Sequence, residues 1–243
     1  MISAPVGFQC PACVAEAQQN VPRTRTTLGG VARAHPVRAT QTLIGLNVAA
    51  YAATWLTQDQ LFRDFGMFGA AVAAGEWWRL LTAPFLHAGL WHIGLNMFAL
   101  WILGGNLEPL LVRWRFVGLY LVSALAGTVT SYAFSSPGVI SVGASGAVFG
   151  LLGGVLVALR RLNRDVSGVM VLLLINVVLG FVFPGIDWRA HLGGLVAGLV
   201  VTAALVYAPR AWRTAAGAAA SALVLLVLAA LTAWRTDQLL TLL

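Results

Sequence analysis

Lysine is absent from the 243 residues; the fifteen basic side chains are all arginine, set against eight acidic ones. Charge of either sign is scarce at 9% of the chain, whereas a soluble domain carries about 25%. That shortage excludes an ordinary soluble globular enzyme, and the long apolar runs exclude a disordered or collagen-like chain. Residues 1–30 lack a basic stretch followed by an apolar one, so no cleavable leader is expected and the first span serves as its own insertion signal. What is present is apolar: 59% of residues are hydrophobic, and the mean hydropathy is +0.84. A spanning helix takes about 20 mostly apolar residues, so six or seven spans would use most of the chain. The net charge of +7 raises the question of nucleic acid. The arginines form no face for it, however, and fall in short stretches between apolar runs, as loops that orient a membrane protein do. The expected surroundings are therefore the bilayer, with no nucleic-acid partner.

The expected fold class is an all-α membrane protein. Residues 1–40 are polar, contain proline and read as a flexible tail. Seven apolar segments follow, at about 41–57, 85–106, 115–134, 143–160, 168–183, 190–208 and 215–234. Glycine and alanine are abundant within them, which favours a compact bundle because small residues let helix backbones approach closely. With the N-terminus in the cytoplasm, eleven arginines fall inside (23, 25, 33, 38, 113, 115, 160, 161, 164, 210 and 213). Only Arg63, Arg79, Arg189 and Arg235 fall outside. This positive-inside bias puts the C-terminus outside. The longest connection, residues 58–84, carries Phe62, Phe65, Phe68, Trp77 and Trp78 with few charges. It suits the headgroup region, where tryptophan is favoured, although an ordinary solvated loop is the plainer alternative.

Polar groups inside a membrane are costly and mark function. His92 and Asn96, in His92-Ile-Gly-Leu-Asn96, are four residues apart and share a helix face. Ser145 sits in Gly143-Ala144-Ser145-Gly146 at the start of the fourth segment, and His191 opens the sixth. The second, fourth and sixth segments run in the same direction, so His92, Ser145 and His191 share the outer half of the membrane. The chemistry that suits them is acyl transfer. A serine hydroxyl needs a neighbouring base, and His191 is suited to take and return its proton. His92, Asn96 and the backbone N–H of Ser145 would donate to the oxyanion. No acidic residue is placed to orient His191, Asp187 belonging to the loop before it, so the expectation is a Ser–His dyad without metal or cofactor. Taken singly, each signal has a bland reading: a Gly–Ser pair for packing, a histidine bonded to a neighbouring helix, Gly193, Gly194 and Gly198 as a close helix contact. The combination is what is specific.

Together these residues resemble the rhomboid family of intramembrane serine proteases. Glu76-Trp77-Trp78-Arg79 is similar to the family's first-loop motif, and Phe85 to Asn96, including His87, to its second-helix signature. Residues 143–150 are similar to the nucleophile motif, and His191 with Gly194 and Gly198 to the base motif. The resemblance covers about residues 41–208, and it implies a six-helix catalytic domain with an extra C-terminal helix at 209–243. It further implies Ser145 as nucleophile, His191 as base, and His92 and Asn96 in the oxyanion hole. His87 is implied to support them in a water-accessible cavity, and Phe149 to pack on the His191 ring where a tyrosine is common. Substrates would be transmembrane segments cut near the outer face, with access by the fifth span and the loop at about residues 183–188. The all-arginine, alanine-rich composition points to a bacterial plasma membrane.

Cys10-Pro-Ala-Cys13 is a single Cys-x-x-Cys knuckle, half of a tetrahedral zinc site. It resembles the last knuckle of small zinc domains that precede some bacterial rhomboids. Three readings stay open: a vestige, a truncated zinc module, or a redox or dimeric metal site. Two alternatives to proteolysis are an inactive relative that binds transmembrane clients, and a transporter. The second lacks any visible inverted repeat.

Overall fold

The computed structural model describes residues 2–3, 7–20, 28, 37–183 and 185–241. The reading of residues 1–40 as a flexible tail falls partly outside these, as do Arg23, Arg25 and Arg33 of the orientation count. Within the described part of the tail, β1 (Ile2–Ser3) pairs antiparallel with β2 (Phe8–Gln9), and α1 spans Pro11–Asn20. The helix forms because Val14–Gln19 is rich in alanine, glutamate and glutamine, all good helix formers outside a hydropathy argument. Leu28 is buried in the main apolar cluster.

Each of the seven apolar segments contains one long helix. After α2 (Arg38–Leu56), the long connection folds into α3 (Gln60–Phe65), β3 (Met67–Phe68), α4 (Gly69–Ala73) and α5 (Arg79–Thr82). Then come α6 (Leu90–Leu107), α7 (Arg113–Phe134), β4 (Ile140–Ser141), α8 (Ser145–Arg161), α9 (Ser167–Val182), α10 (Trp188–Tyr207) and α11 (Arg213–Leu240). Helices α7, α10 and α11 are each long and apolar enough to cross a bilayer alone, and residues 79–85 with α6 make a fourth candidate as a pair bent by 88°. Helix α9 is a shorter apolar helix. The seventh segment is longer than its hydropathy suggests. The second is shorter, because Ala83–Phe85 closes in a separate turn and Gly89 restarts the chain at Leu90.

Helix α8 is the hub. It is buried along almost its whole length and packs against α6, α7 and α10. Its own Gly/Ala content lowers its hydropathy, which costs nothing in a helix surrounded by protein rather than lipid. The α8–α10 crossing is made at glycine. A Cβ on Gly194 would lie 1.9 Å from the Gly146 carbonyl oxygen, and one on Gly198 would lie 2.1 Å from that of Gly150. Helix α2 leans on α6, where Thr40 fills the space left by Gly104. The buried Glu108 at the end of α6 accepts the Ala39 and Thr40 amides at 3.0 and 2.8 Å. That cap explains why α2 begins at Arg38, ahead of the apolar run. Helix α11 lies against α7 and α10, pinned at one end by Arg115 Nη2 donating to Thr214 Oγ1 (2.8 Å). Near its other end, Arg235 Nη2 donates to the Ser135 carbonyl (2.9 Å) and Thr236 Oγ1 is 2.8 Å from Tyr132 OH. Outward faces carry large apolar residues, including Trp91, Leu95, Phe98 and Trp101 on α6 and Leu174, Val178 and Phe181 on α9. A soluble protein does not present such continuous apolar surface.

Candidate active site

The site is built on a loop that the first connection braces. Strand β3 pairs with β4, Met67 opposite Ser141 and Phe68 opposite Ile140, and the Gly143 amide donates to the Ala83 carbonyl at 3.0 Å. Beneath this, Arg79 is buried. Its Nε donates to Glu76 Oε2 at 2.6 Å, and its Nη1 to the carbonyls of Arg63 (2.6 Å) and Gly66 (2.9 Å). Trp78 Nε1 reaches the Asp64 carbonyl at 3.5 Å, while Trp77 is largely exposed. Trp78 and Arg79 therefore shape the first loop and lie outside the recess that holds Ser145.

That recess is lined by Thr128, Ser141, Gly143, Ser145, Gly146 and Ala190. Gly143 has φ +122°, a conformation that side chains rarely adopt. A Cβ there would also lie 2.6 Å from His92 Nε2, so the His92 ring lies against the Gly143 backbone. Ser145 is the first residue of α8. One turn on, the Phe149 ring stacks on His191 with centroids 4.1 Å apart and planes 12° apart. Ala190, next to His191, abuts Gly146 and Gly127. The recess is thus lined by Ser145 and by Ala190, the neighbour of His191, whose ring lies on Phe149 one turn beyond Ser145. No hydrogen bond joins the Ser145 hydroxyl to the His191 ring among the described residues, as is common before substrate binds.

His92 accepts the Ala88 amide through Nδ1 at 3.4 Å. This assigns the ring proton of the neutral imidazole to Nε2, the atom facing Gly143. Asn96 is buried and donates one Nδ2 hydrogen to the His92 carbonyl at 3.0 Å, leaving a second free. His87 stands edge-on to His92, with centroids 5.1 Å apart. It is 2% exposed, buried rather than set in the water-accessible cavity that the resemblance implies.

Asp187 has a role that the polar-residue reading missed. It caps α10 by accepting the Ala190 amide at 3.2 Å, and it accepts the hydroxyls of Ser141 (2.6 Å) and Ser131. One carboxylate therefore ties α7, the loop before Ser145 and the start of α10 together. The signal was available: an aspartate immediately before a helix, three residues ahead of the amide it caps. Cys10 and Cys13 are exposed free thiols, and no group of three or more metal-ligating side chains occurs among the described residues.

The family model described as the Rhomboid domain matches residues 74–208, more than half of the chain. Rhomboid protease GluP of Bacillus subtilis (strain 168) is 41% identical over 139 residues, covering 55% of this chain and 27% of that protein. RHOMBOID-like protein 4 of Arabidopsis thaliana is 40% identical over 144 residues, 57% of this chain and 36% of that one. Rhomboid-type serine protease 2 of Emericella nidulans is 32% identical over 157 residues, 61% and 31% respectively. The matched region thus spans about a quarter to a third of these relatives' own length.

Proposed function

The chain belongs to the rhomboid family, an integral multi-pass membrane protein, and from that premise we propose that it is a serine endopeptidase cutting transmembrane segments of other proteins. The catalytic unit is residues 41–208, with 209–243 as an added helix and 1–40 as a separate tail. The observation that carries the reading is the Phe149–His191 stack one turn beyond Ser145, at a recess shared by Ser145, Gly143 and Ala190.

In the reaction, Ser145 Oγ attacks the scissile carbonyl carbon while a ring nitrogen of His191 takes the hydroxyl proton. The tetrahedral oxyanion accepts hydrogen bonds from His92 Nε2–H, the free Asn96 Nδ2–H and the Ser145 amide at the start of α8. His191 then passes its proton to the leaving amine nitrogen as the C–N bond breaks. Water, deprotonated by the same ring, hydrolyses the acyl-enzyme and restores Ser145. The stack with Phe149 holds the imidazole plane in place, the orienting part of what an acidic residue does in a triad. No metal or cofactor takes part. The arginine-rich ends of the bundle face the cytoplasm of a bacterial cell, the C-terminus lies outside, and cleavage occurs near the outer face.

Labelling with a fluorophosphonate tests this. Wild type is expected to be labelled at Ser145, and Ser145→Ala and His191→Ala to remain unlabelled. Labelling that survives Ser145→Ala would remove the proteolytic reading. A folded wild type inert to the probe and to every transmembrane substrate would favour the client-binding alternative.

A further inference from the structure

A groove of about 320 Å³ runs between α2 and α7, with Phe85 from the turn before α6 also in its lining; it shares no lining residue with the Ser145 recess, which includes the neighbouring Pro84. Two arginines from different helices stand at one end of its lining, Arg38 and Arg113, and its walls are Leu43, Leu46, Val117 and Leu121. Both arginines begin their helices at the same end of the bundle, joined there through Glu108, which accepts the first amides of α2 and lies 3.9 Å from Arg113 Nε. The Arg38 guanidinium has no partner among the described residues. Arg113 Nε is buried and makes no hydrogen bond. Glu108, the one acidic group within ion-pair distance of either arginine among the described residues, is already engaged by the start of α2, so two guanidiniums face the groove mouth with one partly compensated charge between them.

The walls continue the pattern into the membrane. From Arg38 to Leu46, and from Arg113 to Leu121, is eight residues, or about 12 Å of helix; one leaflet of the hydrocarbon core is about 15 Å deep. Leu46 and Leu121 are half exposed, so the groove opens sideways to lipid. A charged mouth at headgroup depth above an apolar trough one leaflet deep matches an anionic phospholipid. Its phosphate suits the two guanidiniums and its acyl chain the leucine and valine walls. A zwitterionic lipid would bring its own cation to the same place.

We propose that this groove is a binding site for one anionic phospholipid, seated with its phosphate on Arg38 and Arg113. The site is independent of the proteolytic reading and would hold for an inactive relative as well.

The test is a titration of the full chain in a neutral detergent with phosphatidylglycerol or phosphatidylcholine, read as the shift in melting temperature. Phosphatidylglycerol is expected to raise it at lower concentration than phosphatidylcholine. Arg38→Gln and Arg113→Gln are each expected to weaken the phosphatidylglycerol midpoint about fivefold, and to leave phosphatidylcholine unchanged. Arg38→Gln keeps the test valid if Arg113→Gln disturbs Glu108. Leu46→Trp, which narrows the trough and leaves both charges, is expected to weaken the same midpoint. Arg210→Gln, at the same end of the bundle and outside the groove, is expected to change nothing. Equal effects of the two lipids would overturn the proposal. So would a loss in Arg210→Gln as large as in Arg38→Gln, since that would mean general surface charge.

Discussion

The α8–α10 crossing sets the distance between the serine and histidine helices, and Gly194→Ala tests it directly. The new Cβ would start 1.9 Å from the Gly146 carbonyl oxygen, and real Cβ contacts essentially never fall under 3.0 Å. The helices must therefore part by at least about 1 Å, against backbone rather than a flexible side chain. Overpacking costs about 1–3 kcal/mol, and a rigid backbone partner places this substitution at the upper end, ~3 kcal/mol. Gly194 lies one turn from His191, so the same displacement reaches the proposed base, and a misplacement of about 1 Å costs on the order of 10² in rate. The assay is the rate of fluorophosphonate labelling, normalised to folded protein, beside thermal melting in detergent. Gly198→Ala, 2.1 Å from the Gly150 oxygen and a turn further from the site, is expected to lose similar stability with a smaller loss of labelling. Gly105→Ala meets nothing within 4 Å and is expected to be neutral or slightly stabilising. Wild-type labelling and melting in Gly194→Ala would refute the idea that this crossing fixes the site.

Three further outcomes are expected. Phe149→Ala removes a stacked, buried ring and should cost about 3–5 kcal/mol and slow labelling of the remaining folded protein, whereas Phe149→Tyr keeps the stack and should retain most activity. Asp187→Ala deletes a helix cap worth about 0.5–2 kcal/mol, strands the Ser141 hydroxyl and leaves Ser131 only Ser135 Oγ at 3.4 Å, so melting should fall further than a cap alone explains; an unchanged melting curve would contradict the bracing role. Asn96→Ala should lower the cleavage rate by about 10²–10³ without a matching change in melting, the usual loss for one oxyanion donor.

The seven helical segments were legible because lipid-facing and core-facing apolar residues alike raise hydropathy along a continuous run. The spacing of His92 and Asn96, and the glycines around Ser145 and His191, were legible because those residue types are out of place in a membrane span. The first connection was not. Strands β3 and β4 have two residues each, too few to show a period of two, and Arg79 is held mostly by the carbonyls of Arg63 and Gly66, which leave no trace in a side-chain pattern. The start of α6 was hidden because hydropathy runs unbroken through Phe85 and Leu86, and only Gly89 marks the new beginning. The start of α2 depends on Glu108, 68 residues away from the Thr40 amide it accepts, a distance no local rule spans. Helix α1 lies in a polar stretch, where helix propensity rather than hydropathy carries the signal.

The measurement that bears most directly on the account is cleavage of a single-span substrate in liposomes, with the product termini sequenced, for wild type, Ser145→Ala and His191→Ala. The account predicts one cut within the span for wild type and intact substrate for both variants. Equal product from Ser145→Ala would contradict it.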